Sequence, residues 1–224
     1  IEAHKDLTNA VSHELKTPLA RFKFSLEIIS HLNNEEKRQH YLQAMKLDVN
    51  ELDELIEEML SYAKLSANNL KINPEKLHVD SWLPPIINQY CQQKITIQLQ
   101  TNYRQAHHAD LIFVDEHLMT RAINNLIRNG LRYAQSQLQI NLQITKHQLI
   151  LSIDDDGPGI PESYREHVFQ PFTRIEQSRD RQSGGSGLGL AIVQKIIHQH
   201  GGEIIATNSP IMGARFQLKI PIKV

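Results

Sequence analysis

A chain of 224 residues, 40% hydrophobic and 22% charged, is long enough for one large domain or two small ones and ordinary for a globular protein. Its net charge of −1 provides no electrostatic footprint for nucleic acid or an anionic membrane surface. One cysteine, Cys91, excludes an internal disulfide framework, and no apolar run approaches the roughly 20 residues that span a bilayer. No signal-peptide pattern is visible, and the chain starts at Ile1 rather than Met. The expectation is a fragment whose upstream segment, including any membrane anchor, has been cut away.

The first element is a helix over residues 2–31. Its apolar residues Val11, Leu15, Leu19, Phe22, Leu26 and Ile29 recur in steps of four and three, which keeps one stripe facing inward. His13 lies two residues from Leu15, roughly 200° around the helix, and so points away from that stripe. Glu14 is beside it. A neutral imidazole has a lone pair free at pH 7, its unperturbed pKa being ~6.5. A carboxylate that holds the other ring N–H makes the free nitrogen a better nucleophile. Pro18 removes an N–H within the same helix and its ring clashes with the carbonyl of Glu14, which kinks or loosens that turn.

Asn33 and Asn34 break the pattern, and a second helix is expected over residues 35–65. Its seam, Leu42, Met45, Val49, Leu52, Ile56, Met59 and Ala63, is an unbroken heptad pattern. Leu47, Leu55 and Leu60 are apolar besides. A lone hairpin cannot bury both stripes well, whereas two hairpins form a four-helix bundle, so residues 1–66 are expected to form a homodimer. The alternative is that the hairpin packs on the rest of its own chain.

Residues 67–76 are polar, contain Pro74 and read as a linker. Residues 77–224 then alternate strands with helices. Asp80 is placed to cap a helix ending near residue 90, with Pro84 near its first turn. Extended runs fall at 95–99 and 110–114, and Asp115 caps a helix ending near 133. Strands at 138–145 and 148–154 form a hairpin across Lys146-His147. A helix at 188–200 and strands at 203–207 and 213–220 complete a two-layer α/β sandwich on an antiparallel sheet.

Four motifs in this half carry chemistry. Asn125 and Asn129 are four residues apart on one helix face, where amide oxygens suit a hard cation such as Mg²⁺. Arg132 shares that face and can reach a phosphate. Taken alone, paired asparagines also describe solvated surface. Asp154-Asp155-Asp156-Gly157-Pro158-Gly159 follows a strand directly, with an acid able to accept from an exocyclic amine such as adenine's and glycines that admit a ligand to the backbone. Phe169-Gln170-Pro171-Phe172 sets two aromatics around a rigid proline. Gly184-Gly185-Ser186-Gly187-Leu188-Gly189 opens a helix, where backbone N–H groups cradle phosphates. By itself it also reads as a flexible turn, and it is neither a P-loop nor a Rossmann fingerprint.

Together these motifs resemble the bacterial sensor histidine kinases of two-component signalling, along nearly the whole chain. The resemblance implies a dimerisation and histidine-phosphotransfer hairpin at 1–66, then a catalytic ATP-binding domain of the gyrase, Hsp90 and histidine-kinase type at 77–224. It implies His13 as phosphoacceptor, Glu14 as its acid/base partner, and Thr17 as the residue that positions a water for dephosphorylation of the partner protein. Asn125 and Asn129 match the metal and phosphate face, with Asn129 the Mg²⁺ ligand, and Arg132 and Tyr133 match nucleotide contacts. Asp155 matches the adenine-reading carboxylate, supported by Gly157 and Gly159. Gly185, Gly187, Leu188 and Gly189 match the second glycine box, and residues 161–186 resemble a mobile lid. The implied cofactors are ATP and Mg²⁺, the implied partner is a response regulator receiver domain, and no nucleic acid is implied. The implied location is the cytoplasmic side of an inner-membrane sensor.

Lys16 stands where arginine is common and keeps the charge; Gly130 stands where alanine is common. The related hydrolytic ATPases activate water with a glutamate where this chain has Asn125, and an amide cannot serve as a general base. A non-catalytic scaffold could keep His13 but has no use for Asn129, Asp155 and the glycine boxes together.

Overall fold

The computed structural model describes residues 2–66, 72–91, 94–103, 111–145, 147–175 and 186–222, with side chains from Ala10 onward. The chain divides into two compact units, Ile1–Lys64 and Leu65–Val224.

The first unit is a hairpin of α1 (Glu2–His31) and α2 (Glu35–Ser66). Asn34 does more than interrupt the pattern: its Oδ1 accepts from the Lys37 N–H at 2.9 Å, which caps α2. The expected stripes do not turn inward whole. On α1, Pro18 and Ser25 are buried and Val11, Leu15, Phe22 and Ile29 half-buried; on α2, Met45, Asp48 and Leu55 are buried and Leu52 and Met59 half-buried. Leu19, Leu26, Leu42, Val49 and Ile56 are between 37% and 54% exposed. One neighbouring helix covers one line of side chains, and a heptad seam is wider than that line. Alternate members of the α2 seam therefore face away from α1.

The second unit begins with β1 (Glu75–His78), which pairs antiparallel with β3 (Leu111–Val114). A strand was not expected there; four residues with a single buried side chain, Leu77, leave almost no alternation to read. The next helix, α3 (Val79–Asn88), starts directly after His78, so Asp80 lies inside its first turn instead of capping it. A carboxylate there still complements the helix dipole. Pro84 and Pro85 both lie within α3 rather than in its first turn.

Strands β2 (Thr96–Tyr103), β4 (Gln137–Ile144), β5 (Gln148–Asp155), β6 (Glu203–Asn208) and β7 (Ala214–Pro221) form one sheet in the order β2-β4-β5-β7-β6. Three of its pairings are antiparallel, as expected. The fourth, β2 with β4, is parallel, because α4 (Glu116–Tyr133) intervenes and returns the chain to the same end of the sheet. Helices α4 and α5 (Gly189–Gln199) pack on the sheet with their apolar faces inward, and Ile123, Leu126, Ile192 and Phe216 are among the fully buried side chains.

Three groups of hydrogen bonds hold α4 in place. Asp115 caps it as expected, Oδ1 accepting from the Leu118 N–H at 3.1 Å, while Oδ2 accepts from the Asn73 N–H and the Asp115 N–H donates to His200 Nε2. From α3, Trp82 Nε1 donates to Thr120 Oγ1 at 2.8 Å. At the end of α3, Gln89 Nε2 and the Tyr90 hydroxyl both donate to Asn124 Oδ1. Asn124 thus faces α3, and the neighbouring Asn125 and Asn129 project from a different side of the helix. Gly130 has a packing reason: a Cβ there would overlap Cδ1 of the fully buried Leu138.

Candidate functional site

The hairpin presents His13 with its side chain 82% exposed, next to Glu14 at 28%. Glu14 Oε1 is 4.0 Å from His13 Nδ1, longer than a hydrogen bond but within reach of one rotamer adjustment. The carboxylate therefore lies on the Nδ1 side of the ring. One turn later, the Thr17 hydroxyl donates to the His13 carbonyl at 3.3 Å. Pro18 is buried behind this turn. Having no N–H, it cannot close the helical bond to Glu14, so the turn carrying the imidazole lacks one rung of the ladder.

In the second unit, Asn125 and Asn129 are half-buried on α4 and Arg132 is exposed one turn further on. Asn125 Nδ2 donates to the Gly189 carbonyl at 3.3 Å, which ties α4 to the first residue of α5. The amide is thereby oriented with its nitrogen on protein, and among the described residues its oxygen carries no hydrogen bond. That donor set fits an Mg²⁺–phosphate group, which takes oxygen ligands. No cluster of His, Cys, Asp or Glu able to hold a metal occurs among the described residues.

Asp155 ends β5 at 2% exposure. Its Oδ1 accepts from the Gly157 N–H at 2.9 Å and the Ala214 N–H at 3.1 Å, and its carbonyl accepts from the Gly213 N–H. Burial pushes its pKa up, the two backbone N–H groups pull it back, and the charges of Asp156 and Asp154 push it up again; the net direction is upward. Among the described residues no hydrogen bond reaches Oδ2. Gly157 packs so closely that a Cβ would overlap the Tyr133 carbonyl, which sets the end of α4 against this loop.

The three aspartates do different work. Asp154, fully buried, is held bidentately by Arg215, Nε to Oδ1 at 2.6 Å and Nη2 to Oδ2 at 2.9 Å, and also accepts from Asn141. Asp156 gathers the backbone N–H groups of Gln135, Ser136 and Gln137 and the Ser136 hydroxyl. Burial alone would raise its pKa, but these donors outweigh it and lower the value to about 2.

At the second glycine box, Gly187 sits at φ +72, and a Cβ there would come within 2.8 Å of Phe172 Cα. Phe172 itself has φ 61, and its N–H donates to the Gly187 carbonyl at 3.0 Å. Phe169 packs edge-on against Phe216, with centroids 6.2 Å apart. The aromatic motif thus ties Gly187 to the core. Leu188 is fully buried and its N–H donates to Ser186 Oγ, so its side chain belongs to the core. Gly185, and residues 176–185 of the expected lid, lie outside the described residues.

The structure joins Asn125 to Gly189 and Tyr133 to Gly157. Sequence reasoning missed Gly213 and Ala214, whose backbone completes the Asp155 loop. A glycine in a turn before a strand looks ordinary until its partner, 58 positions away, is known.

A helical hairpin with an exposed histidine, in one chain with an α/β unit whose buried carboxylate and oxygen-bearing helix suit a nucleotide, defines a phosphoacceptor module coupled to an ATPase-type module. Residues 3–68 match the family model described as His Kinase A (phospho-acceptor) domain, and residues 114–224 match histidine kinase-, DNA gyrase B- and HSP90-like ATPase. The sensor protein RstB of Escherichia coli (strain K12) is 37% identical over 224 residues, covering 99% of this chain and 50% of its own length. The histidine kinase ThkA, solved in complex with the response regulator protein TrrA, matches with a TM-score of 0.78 at 20% identity, over 97% of this chain and 61% of that one. Full-length ShkA in complex with AMPPNP matches at 0.71 and 18% identity, over 99% and 45%. Those two likenesses show the fold. The chain belongs to the sensor histidine kinases of bacterial two-component signalling, and it spans about half the length of the curated relatives it matches.

Proposed function

We propose that this chain autophosphorylates His13 from ATP and passes the phosphoryl group to an aspartate of a response regulator receiver domain. The observation that carries this reading is the exposed His13, with Glu14 on its Nδ1 side. Glu14 holds the Nδ1 proton, and the Nε2 lone pair attacks the γ-phosphorus in line as the bond to the ADP oxygen breaks. Asp155 Oδ2 accepts from the adenine amine, and Arg132 and the N–H groups at the start of α5 face phosphate oxygens. Asn129, with Asn125 beside it, would hold Mg²⁺, which neutralises phosphate charge when bound. An amide at Asn125 supplies no base to activate water, which favours transfer over hydrolysis. Thr17 orients the water that dephosphorylates the regulator.

The outward Leu19, Leu26, Leu42, Val49 and Ile56 support a homodimer through residues 1–66, because a second hairpin would bury them in a four-helix bundle. We assign the catalytic ATP-binding domain from β1 onward, two residues earlier than the 77–224 expected, because Glu75 and Lys76 already pair with β3, and the linker of the expected 67–76 ends before Glu75. Among the described residues no helix is long and apolar enough to cross a membrane; the sensor relatives support a place on the cytoplasmic side of an inner-membrane protein.

The test is incubation with ATP radiolabelled in its γ-phosphoryl group. Label on the chain should survive alkali and vanish in mild acid, as phosphoramidates do, and His13→Gln should abolish it while ATP affinity stays intact. Acid-stable label, or label in the variant, overturns the assignment.

A further inference from the structure

A charge cluster between the hairpin helices has no part in the chemistry above. Arg21 on α1 donates from Nε to Asp48 Oδ1 at 2.9 Å and from Nη2 to Glu51 Oε2, both on α2. Asp48 is 7% exposed and Ser25, one turn beyond Arg21, is 6%, so a polar layer interrupts an inner face otherwise built from residues such as Met45 and Leu55. Asp48 and Glu51 stand one turn apart, so the planar guanidinium grips α2 at two levels, a geometry that an ammonium cannot reproduce.

As a source of stability this cluster is weak, because the Arg21 and Glu51 side chains are 44% and 47% exposed to screening solvent and only Asp48 is buried. The best-attested use of such a bridge is to fix the register of one helix on another. The location gives that use a purpose. Arg21 lies three residues past Pro18 and about 12 Å of helix beyond His13, at ~1.5 Å per residue. Pro18 deprives the His13 turn of a ladder bond, and the locked segment begins directly after it. A soft joint followed by a clamp bends at one place.

We propose that Arg21 is a positioning residue for the His13 reaction: by gripping Asp48 and Glu51 just beyond the proline, it fixes the pivot of the His13 turn and thereby the attack geometry of the imidazole. This rests on His13 being the acceptor.

The test compares the 224-residue chain with the Arg21→Met/Asp48→Leu double variant, which removes the buried Asp48 charge together with its partner and leaves Glu51, 47% exposed, to solvent. The unfolding midpoint should stay equal or rise, and the KM for ATP should be unchanged. The first-order rate of acid-labile labelling should fall by one to two orders of magnitude, the scale of a roughly 1 Å misplacement. Arg21→Lys, which keeps the charge but loses the fork, should lower the same rate at an unchanged midpoint. A rate within about threefold of wild type in the double variant, or a loss that appears only together with a lower midpoint, overturns the clamp. Label on the wild-type chain reports on His13 separately, so failure of the clamp is distinguishable from failure of that assignment.

Discussion

The Thr17 hydroxyl is hydrogen-bonded to the carbonyl of His13, four residues back on the same face of α1. Both side chains are exposed, so the hydroxyl is held beside the imidazole without being part of the core. Thr17→Ala should leave autophosphorylation within about twofold, and it raises local helix propensity by up to roughly 0.7 kcal/mol. Dephosphorylation of a receiver domain charged with acetyl phosphate should fall about a hundredfold, the scale of losing a positioned reactant. An unchanged phosphatase rate removes Thr17 from that role.

Gly213→Ala tests the backbone cradle of Asp155. A Cβ at this position would overlap Asp155 Oδ1 and the Asp155 carbonyl, and backbone cannot move aside as a side-chain tip can. Overpacking of this kind costs about 1–3 kcal/mol. The unfolding midpoint of the second unit should drop several degrees, and ADP affinity measured by calorimetry should be lost. Wild-type ADP affinity would show that the loop tolerates the displacement and that Asp155 is not positioned by it.

Asp156 predicts an acid-side stability signature. Its folded pKa of about 2 lies below the ordinary 3.8, so its carboxylate stabilises the fold above that ordinary value and loses the contribution as pH falls toward 2. Asp156→Asn keeps the shape but gives up one acceptor oxygen. Thermal unfolding at neutral pH should favour the wild type, and the difference should close between pH 3.8 and about 2. A gap that is constant across that range contradicts the assignment.

Met212 holds φ 88 with its side chain 89% exposed, in the turn where Met212 N–H donates to the Ser209 carbonyl. A non-glycine residue in this region carries about 1–3 kcal/mol of strain, partly offset by the unfolded-state entropy that glycine adds. Met212→Gly should therefore raise the unfolding midpoint by about 2–4 °C, as roughly 1 kcal/mol does in a domain of this size. A lower midpoint would mean that the exposed side chain makes a stabilising contact.

Much of the architecture was legible before any coordinates. The bounds of α1 and α2, the Asp115 cap and the β4–β5 hairpin follow from periodicity and capping chemistry, which act over a few residues. The errors share a cause. β1 is too short to show a period; Asp80 looked like a cap because the helix start was placed two residues late; the parallel β2–β4 pairing depends on a crossover that no local pattern announces. At the candidate site, the residue types alone singled out His13, Asn125, Asn129 and Asp155 as candidates, whereas nothing in the sequence singled out Gly213 and Ala214, whose N–H groups donate to Asp155.

The order of residues alone was enough to place the two long helices, the cap of α4 and the β4–β5 hairpin, because helical period and capping chemistry are local properties. Folding in three dimensions decided which half of the α2 heptad meets α1, that Arg21 bridges to Asp48, and that the Ala214 N–H closes on Asp155. Those outcomes depend on which surfaces exclude water from one another across tens of residues, and no spacing within a short window carries that information.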